Sequence, residues 1–485
     1  MSRPPGLVLA AGAAATLLAA ATAVWVLGAV PHVSDEISYT LQSRLFAAGL
    51  RTGPGVGAPS MAEYPFWNLT PRTFSVFPPG WPALLSLGER LSVPWLVNPL
   101  LFGLVPLLTW RLARPHTPPG TAVLSAWLVA VSPAALLLAG SRMSQVSVLV
   151  ALLLAALGRP WLTGAAVAYI VLARPFDAVL LGGPLLLWAL WRTRHAAVVV
   201  LPGLAAGLLL CDNALLTGSP LTFPVNPWYD QWAQPGCNRL GFGAGVGCVN
   251  PGYTVRDAAS NALASLGRLD GLLLGGAGGL AFAAGGVWAV GLRTGAKLLA
   301  PLAVVVAGYA LYWSPGMAYG ARFYLPALPG LCVLVAALAA RLGGRWAPLL
   351  LALPLVSASR IAPTVGDYWC VDGGLSAALD AAGVAEGVLF VKTAGQAAAS
   401  WPAVGVDAFS CGPMLWAGEG MWRMDPTDQD GLRVRHAPGE LSQIPAYMEA
   451  LAPGRPAWLA ARGEGEAAWR LFSVQPGGLT PLSPE

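Results

Sequence analysis

Long, uninterrupted apolar runs recur along this chain, parted by short stretches rich in Arg, Pro and Gly. A helix needs about 20 apolar residues to cross a hydrocarbon core of about 30 Å. Runs that meet or approach that length fall near 6–30, 93–112, 120–140, 145–158, 161–173, 176–191, 196–212, 269–292, 298–313, 322–340 and 346–361. The pattern predicts a polytopic α-helical membrane protein with about 11 transmembrane helices. The runs at 145–158 and 161–173 are short and separated only by Gly158, Arg159 and Pro160, which predicts either a tight hairpin or one broken span. The first run begins after Arg3 and continues to Pro31 with no small-residue cleavage pattern nearby, so it is expected to stay as a span.

Composition agrees. Hydrophobic residues make up 56% of the chain and charged ones only 11%, with a mean hydropathy of +0.61, whereas soluble proteins carry about 25% charged residues. The net charge of +5 comes from 28 basic and 23 acidic residues scattered between the runs, so no polyanion-binding face forms and no nucleic-acid partner is expected. Charge instead sets topology. With the N-terminus in the cytoplasm, Arg3, Arg111, Arg114, Arg159, Arg192, Arg194, Arg293, Lys297, Arg341 and Arg345 all lie inside; the reverse would place only Arg142, Arg174 and Arg322 in short inner loops. Residues 1–361 then form a membrane unit with outer loops at 31–92 and 213–268, and 362–485 form a small external α/β domain. Four cysteines fall in the outer segments, and the local pairings Cys237 with Cys248 and Cys370 with Cys411 are expected from spacing, among three connectivities.

The first outer loop carries the candidate chemistry. In SDEISYTLQSRLFAAGL at 34–50, Ile37, Leu41, Leu45 and Ala48 make one apolar stripe on a helix too polar to span, which is expected to lie along the membrane surface. Ser34 is the expected N-cap. Asp35 and Glu36 occupy the first turn, where acids also complement the helix dipole.

Two adjacent carboxylates between a transmembrane helix and an amphipathic one resemble the hallmark of the GT-C glycosyltransferases. The likeness is strongest to the bacterial branch of protein O-mannosyltransferases and lipid A aminoarabinose transferases. FPPGWPALLSLG at 77–88, SPAALLLAGSRMSQ at 132–145, RPFDAVLLGGPLLL at 174–187, LTGSPLTFP at 216–224, RLGFGAGVG at 239–247 and YGARFYLPALP at 319–329 fall in similar order and spacing, as do MDPTDQDGL at 424–432 and LAPGRPAWL at 451–459. The resemblance implies a bacterial inner-membrane enzyme with its active site on the periplasmic or extracellular face. Its donor would be a polyprenyl-phosphate sugar, and its acceptor a hydroxyl on a glycan, lipid or protein. No cofactor is implied as required, although a divalent cation is an option.

Such chemistry needs a base and cations. Asp35 is the expected base, with Glu36 orienting it or binding acceptor. His32 is a candidate metal partner of the two acids, a solvated imidazole being the plainer expectation. Arg142, Arg174 and Arg322 break the positive-inside pattern and are expected to hold the donor phosphate, with Arg256, Arg72 and Arg239 secondary; Asp177 is an alternative partner for Arg174. Two positions depart from the family. Val76 and Phe77 stand where a Lys often precedes the PPG segment, and Gln145 stands where the family has a His. The rival expectation is a transporter or flippase of lipid-linked sugars without chemistry. Such folds show repeated halves and charged or broken helices at the midplane, whereas here the acids are expected at the outer surface and no repeat is found.

Overall fold

The computed structural model describes residues 4–55, 67–68, 72–248, 251–276, 278–316, 318–365, 371, 373–393, 396–397, 410–411, 420–428, 431–437, 443–462, 468–475 and 478–482. Five helices are long and apolar enough to cross a membrane: Gly6–Val26, Pro94–Ala113, Ala197–Thr217, Leu292–Tyr309 and Arg322–Arg341. A sixth is a bent pair, Pro119–Val131 and Pro133–Gly140, turned by 51°. The bend sits where Ser132 adopts an extended conformation and Pro133 has no N–H to continue the ladder. The chain is therefore a helical protein with five or six membrane-length apolar helices among the described residues. Other runs fold into shorter apolar helices, Gln145–Ala155, Pro160–Ala173 and Gly279–Val290 among them, each followed within a few residues by Pro or Gly.

The expected continuous span at 269–292 is corrected. The helix Val255–Leu273 stops, and a second one begins at Gly279. Gly275 and Gly278 take positive φ angles of 75° and 101°, and Asp270 folds back to accept the Gly278 and Leu280 N–H groups at 2.8 and 2.6 Å. A carboxylate that caps the second helix cannot also sit within a straight apolar span.

Helix packing follows side-chain size. On the first helix Val8, Ala11, Ala15 and Ala19 are fully buried while Leu7, Leu9 and Leu17 are exposed, an apolar outer face suited to lipid. A Cβ at Gly12 would lie 2.8 Å from the Gly103 carbonyl oxygen. Small residues thus let this helix touch the Pro94–Ala113 segment backbone to backbone.

Residues beyond 370 contain a five-stranded sheet ordered Gly478–Pro481, Arg470–Gln475, Ala457–Arg462, Gly387–Thr393 and Leu432–His436. The last three strands run parallel. Within Gly387–Thr393 the residues Val388, Leu389, Phe390 and Val391 form a continuous apolar run, because both sheet faces are covered there. Val388 and Phe390 face Ile444 of the helix Ile444–Leu451, whereas Leu389 and Val391 face the other way, into a cluster that holds Ile37, Leu41 and Leu45.

That cluster corrects the amphipathic reading of the Ser34–Ala47 helix. Its apolar stripe packs against Leu375, Leu379, Met421, Met424, Leu432 and Val434 rather than lying on lipid. Its polar residues Ser38, Thr40, Gln42 and Ser43 are buried as well and are hydrogen-bonded, Ser38 to Ser75 at 2.8 Å and Gln42 to the Ser75 N–H at 2.9 Å. Arg44 donates to the carbonyls of Trp422 and Met424. The helix packs on the Gly80–Arg90 helix and the Arg72–Ser75 strand, and its apolar stripe joins the cluster under the sheet. Leu41→Ala should therefore cost about 2–5 kcal/mol through the cavity it opens, read in detergent as a lower unfolding temperature and as faster hydrogen exchange in Leu432–His436. Unchanged exchange in that strand would mean the stripe meets lipid.

Candidate functional site

The two acids are separated by their surroundings. The helix starts at Ser34, so Val33 rather than Ser34 is the N-cap. Valine has no side-chain oxygen to offer the first-turn N–H groups, and Glu36 reaches back instead. Its Oε2 accepts the N–H of His32 at 3.1 Å and of Val33 at 3.0 Å, as well as the Tyr319 hydroxyl at 2.7 Å. Its Oε1 accepts the Arg142 N–H at 2.6 Å. With four donors and no exposure, Glu36 has no capacity left for a ligand. Asp35, about 100° further round the helix, takes the other role and lines a cavity of about 530 Å³.

Arg322 comes to Asp35 through a strained turn. Tyr319 has φ of 55° and Gly320 of 87°. A positive φ on a bulky aromatic residue is costly and persists only where its surroundings demand it, here the bond from its phenol to Glu36. The next turn delivers the Arg322 Nη1 to the Asp35 Oδ2 at 2.8 Å. The Arg322 Nε is buried and has no partner among the described residues.

Around this pair the cavity wall is aromatic. Tyr309 stacks on Phe323 with centroids 4.3 Å apart, and the guanidinium groups of Arg174 and Arg322 lie 5.1 and 5.2 Å from the Phe323 centroid. Arg174 donates to Asp177 at 2.5 Å and to the Tyr309 hydroxyl at 3.0 Å, and that hydroxyl donates to Asp177 at 2.6 Å. Asp177 is thus the partner of Arg174. Tyr39, Phe77, Tyr229 and Tyr312 complete much of the wall. Burial, then the nearby Asp35 charge, pushes the Tyr39 hydroxyl up to about 12, which leaves it a hydrogen-bonding group rather than a proton acceptor.

The site thus brings Asp35, Arg322 and Arg174 together and leaves other expected members elsewhere. Arg142 is buried, but its guanidinium donates to the Thr40 hydroxyl at 3.0 Å and the Ala29 carbonyl at 2.7 Å and does not line the cavity; it ties the 27–33 turn to the helix. Arg256, Arg72 and Arg239 are exposed and away from the cavity wall. His32 is neither solvated nor set for a metal, since it is 2% exposed with Nε2 2.9 Å from the Leu27 carbonyl. No group of three or more His, Cys, Asp or Glu side chains gathers among the described residues. The two outer segments differ in their relation to the cavity. Phe223, Val225, Asn226, Tyr229, Asn238 and Leu240 of the 213–268 segment line the cavity, whereas no described residue of the 362–485 segment does. A disulfide joins Cys237 to Cys248; the expected Cys370–Cys411 pair lies outside the described residues at Cys370. Tyr319, Tyr309, Asn226 and Asn238 were not legible as site residues, although YGARFY places Tyr319 three residues before Arg322.

Comparison with known protein families, with curated proteins and with solved structures finds no match. The fold and site define the chain as a helical protein with apolar helices of membrane-spanning length and an acid–arginine pair facing an aromatic cavity.

The two carboxylates should respond differently to loss of charge. Glu36→Gln places an amide N–H among four donors and should destabilise the protein by about 1–3 kcal/mol for each group left unsatisfied. Asp35→Asn keeps an oxygen for Arg322 and should cost clearly less. Unfolding temperatures in detergent compare the two, and an equal or reversed order would contradict this division of roles.

Proposed function

We propose that the chain is a GT-C-like membrane glycosyltransferase that moves a sugar from a polyprenyl-phosphate donor to an acceptor hydroxyl. The observation that carries this reading is the pairing of Asp35 with Arg322 at 2.8 Å on the wall of one aromatic cavity. Transfer to a hydroxyl needs a proton acceptor next to a site for a leaving phosphate, and this pair supplies both. Val179, which is 72% exposed on an apolar helical segment, lines the same cavity, so a lipid-linked donor has a route from the bilayer. In this reading the membrane-length helices cross a bacterial inner membrane, the cavity opens on its outer side, and residues 362–485 lie outside.

In the reaction the acceptor oxygen attacks the anomeric carbon as the carbon–oxygen bond to phosphate breaks. The acceptor proton passes to Asp35, and the polyprenyl phosphate leaves as an anion beside Arg322 and Arg174. Attack from the face opposite the phosphate inverts the anomeric configuration. The ion pair adds an order to these events. While Arg322 holds Asp35, the carboxylate is engaged; a donor phosphate competes for the guanidinium, draws it off and frees the base. Proton acceptance thus waits for the donor.

Asp35→Asn should lower transfer about 10²–10⁴-fold, the usual contribution of a base, with donor binding retained, in an assay of purified protein with lipid-linked sugars extracted from bacterial membranes. Near-normal transfer by this variant would remove the mechanism and favour translocation without chemistry. Arg322→Ala should weaken binding of polyprenyl phosphate about tenfold to a hundredfold through loss of a charge-assisted contact, and Arg322→Lys should restore part of it, because an ammonium lacks the bidentate fork. Unchanged affinity in Arg322→Ala would exclude it from the phosphate site.

A further inference from the structure

We propose that Asn226, aligned by Trp313 through Asn238, forms a subsite for the hydroxyl groups of the transferred sugar, an inference that rests on the donor reading above. Asn226 belongs to the helix Val225–Trp232, Asn238 to the loop that follows it, and both line the cavity. The Trp313 Nε1–H donates to the Asn238 Oδ1 at 3.0 Å, and the Asn238 Nδ2 donates to the Asn226 Oδ1 at 2.9 Å.

This relay has one direction. An indole nitrogen can only donate, so the atom facing it on Asn238 is the amide oxygen. The Asn238 amino group must then face Asn226, and the atom it meets must again be an oxygen. Two amides that could each be turned either way are fixed by one obligate donor. The relay ends at the Asn226 Nδ2, which has no further partner among the described residues and offers two N–H donors to a ligand. Asn238 is itself pinned, since Cys237 beside it is bonded to Cys248 and the Cys237 carbonyl accepts the Gly247 N–H at 2.8 Å.

The chemistry around the relay selects the ligand. The arginines gather at Phe323, so the phosphate belongs there. Around Trp313 the groups are neutral and aromatic. Tyr229 meets it edge-on at 5.5 Å and Tyr312 lies 6.3 Å away. Aromatic faces bury the apolar C–H face of a pyranose or furanose ring, while a carboxamide bonds its hydroxyls. Neither group suits a bare phosphate or a prenyl chain, the latter leaving the amide unpaired at a cost. A sugar held here while its phosphate meets Arg322 would span the cavity past Asp35.

The test compares a polyprenyl monophosphate with the same lipid esterified by glucose, mannose, galactose or arabinose, each bound to the purified full-length chain and read by native mass spectrometry. In the wild type at least one ester should bind about tenfold tighter than the bare lipid, the scale of one or two well-placed hydrogen bonds. Asn226→Leu should erase that preference while leaving affinity for the bare lipid unchanged, which also shows that the variant has folded. Trp313→Phe, which removes only the relay's donor, should reduce the preference severalfold. An equal affinity for all esters and the bare lipid in the wild type, or a preference that survives both substitutions, overturns the subsite. Failure of the bare lipid and every ester to bind overturns the donor reading, and the subsite with it.

Discussion

A fully buried carboxylate with four donors around it is the contact on which the site depends. Glu36 gathers the N–H groups of His32 and Val33 at the start of its own helix, the N–H of Arg142 from the 141–144 turn, and the phenol of Tyr319 from the turn before Arg322. These three segments are far apart in sequence, and each arrives at a helix end where main-chain groups would otherwise be unpaired. Removing a carboxylate from water is expensive unless its oxygens are fully engaged. The requirement therefore works backwards, and each donor segment is held in register because Glu36 cannot be left short. Tyr319 accepts a left-handed backbone for the sake of this bond.

Asp35 inherits its position from that arrangement. A residue adjacent to an immobile one on a helix has almost no freedom in where it points. The fixed Tyr319 turn in turn determines where Arg322 can reach. The acid and the arginine on the cavity wall are thus positioned by a neighbour that never meets the cavity. This division gives the two consecutive carboxylates different places, one enclosed by donors and one on the cavity wall. The cavity's charges are balanced in pairs, Asp35 with Arg322 and Asp177 with Arg174. A balanced apolar cavity is cheap to keep dry, whereas unpaired guanidinium groups there would carry a large desolvation cost.

What was legible in the sequence follows the range of the interactions concerned. The acids, the arginines against the positive-inside bias and the Cys237–Cys248 spacing are local features, readable along a few residues. The stripe Ile37, Leu41, Leu45 was equally visible, but an amphipathic pattern states only that one face is covered and not by what. Lipid and a sheet beginning more than 300 residues later make the same demand on it. The separate roles of Asp35 and Glu36 were hidden for a similar reason, since the donors that occupy Glu36 come from residues 142 and 319. The relay from Trp313 to Asn226 spans 87 residues and uses residue types that occur anywhere in a loop. Helix ends were misplaced where a side chain overrode apolar pattern, as Asp270 did when it capped a new helix inside the run 269–292.

Two stretches of irregular backbone flank the site. Segments of wide π-helical turns run over Thr22–Val26, just before the turn into the acids, and over Ala178–Gly182, just after Asp177. Gly28 and Ala29 take φ of 59° and 57° in that turn, and the Ala29 carbonyl is held by Arg142. Broken main chain is tolerable at membrane depth only where other groups of the protein satisfy it. At the first turn Arg142, behind the cavity wall, satisfies the Ala29 carbonyl; beside the 174–182 segment the side chains of Arg174, Asp177 and Tyr309 bond to one another. Arg174, which lines the cavity, thus belongs to a side-chain network that packs beside one of these irregular segments.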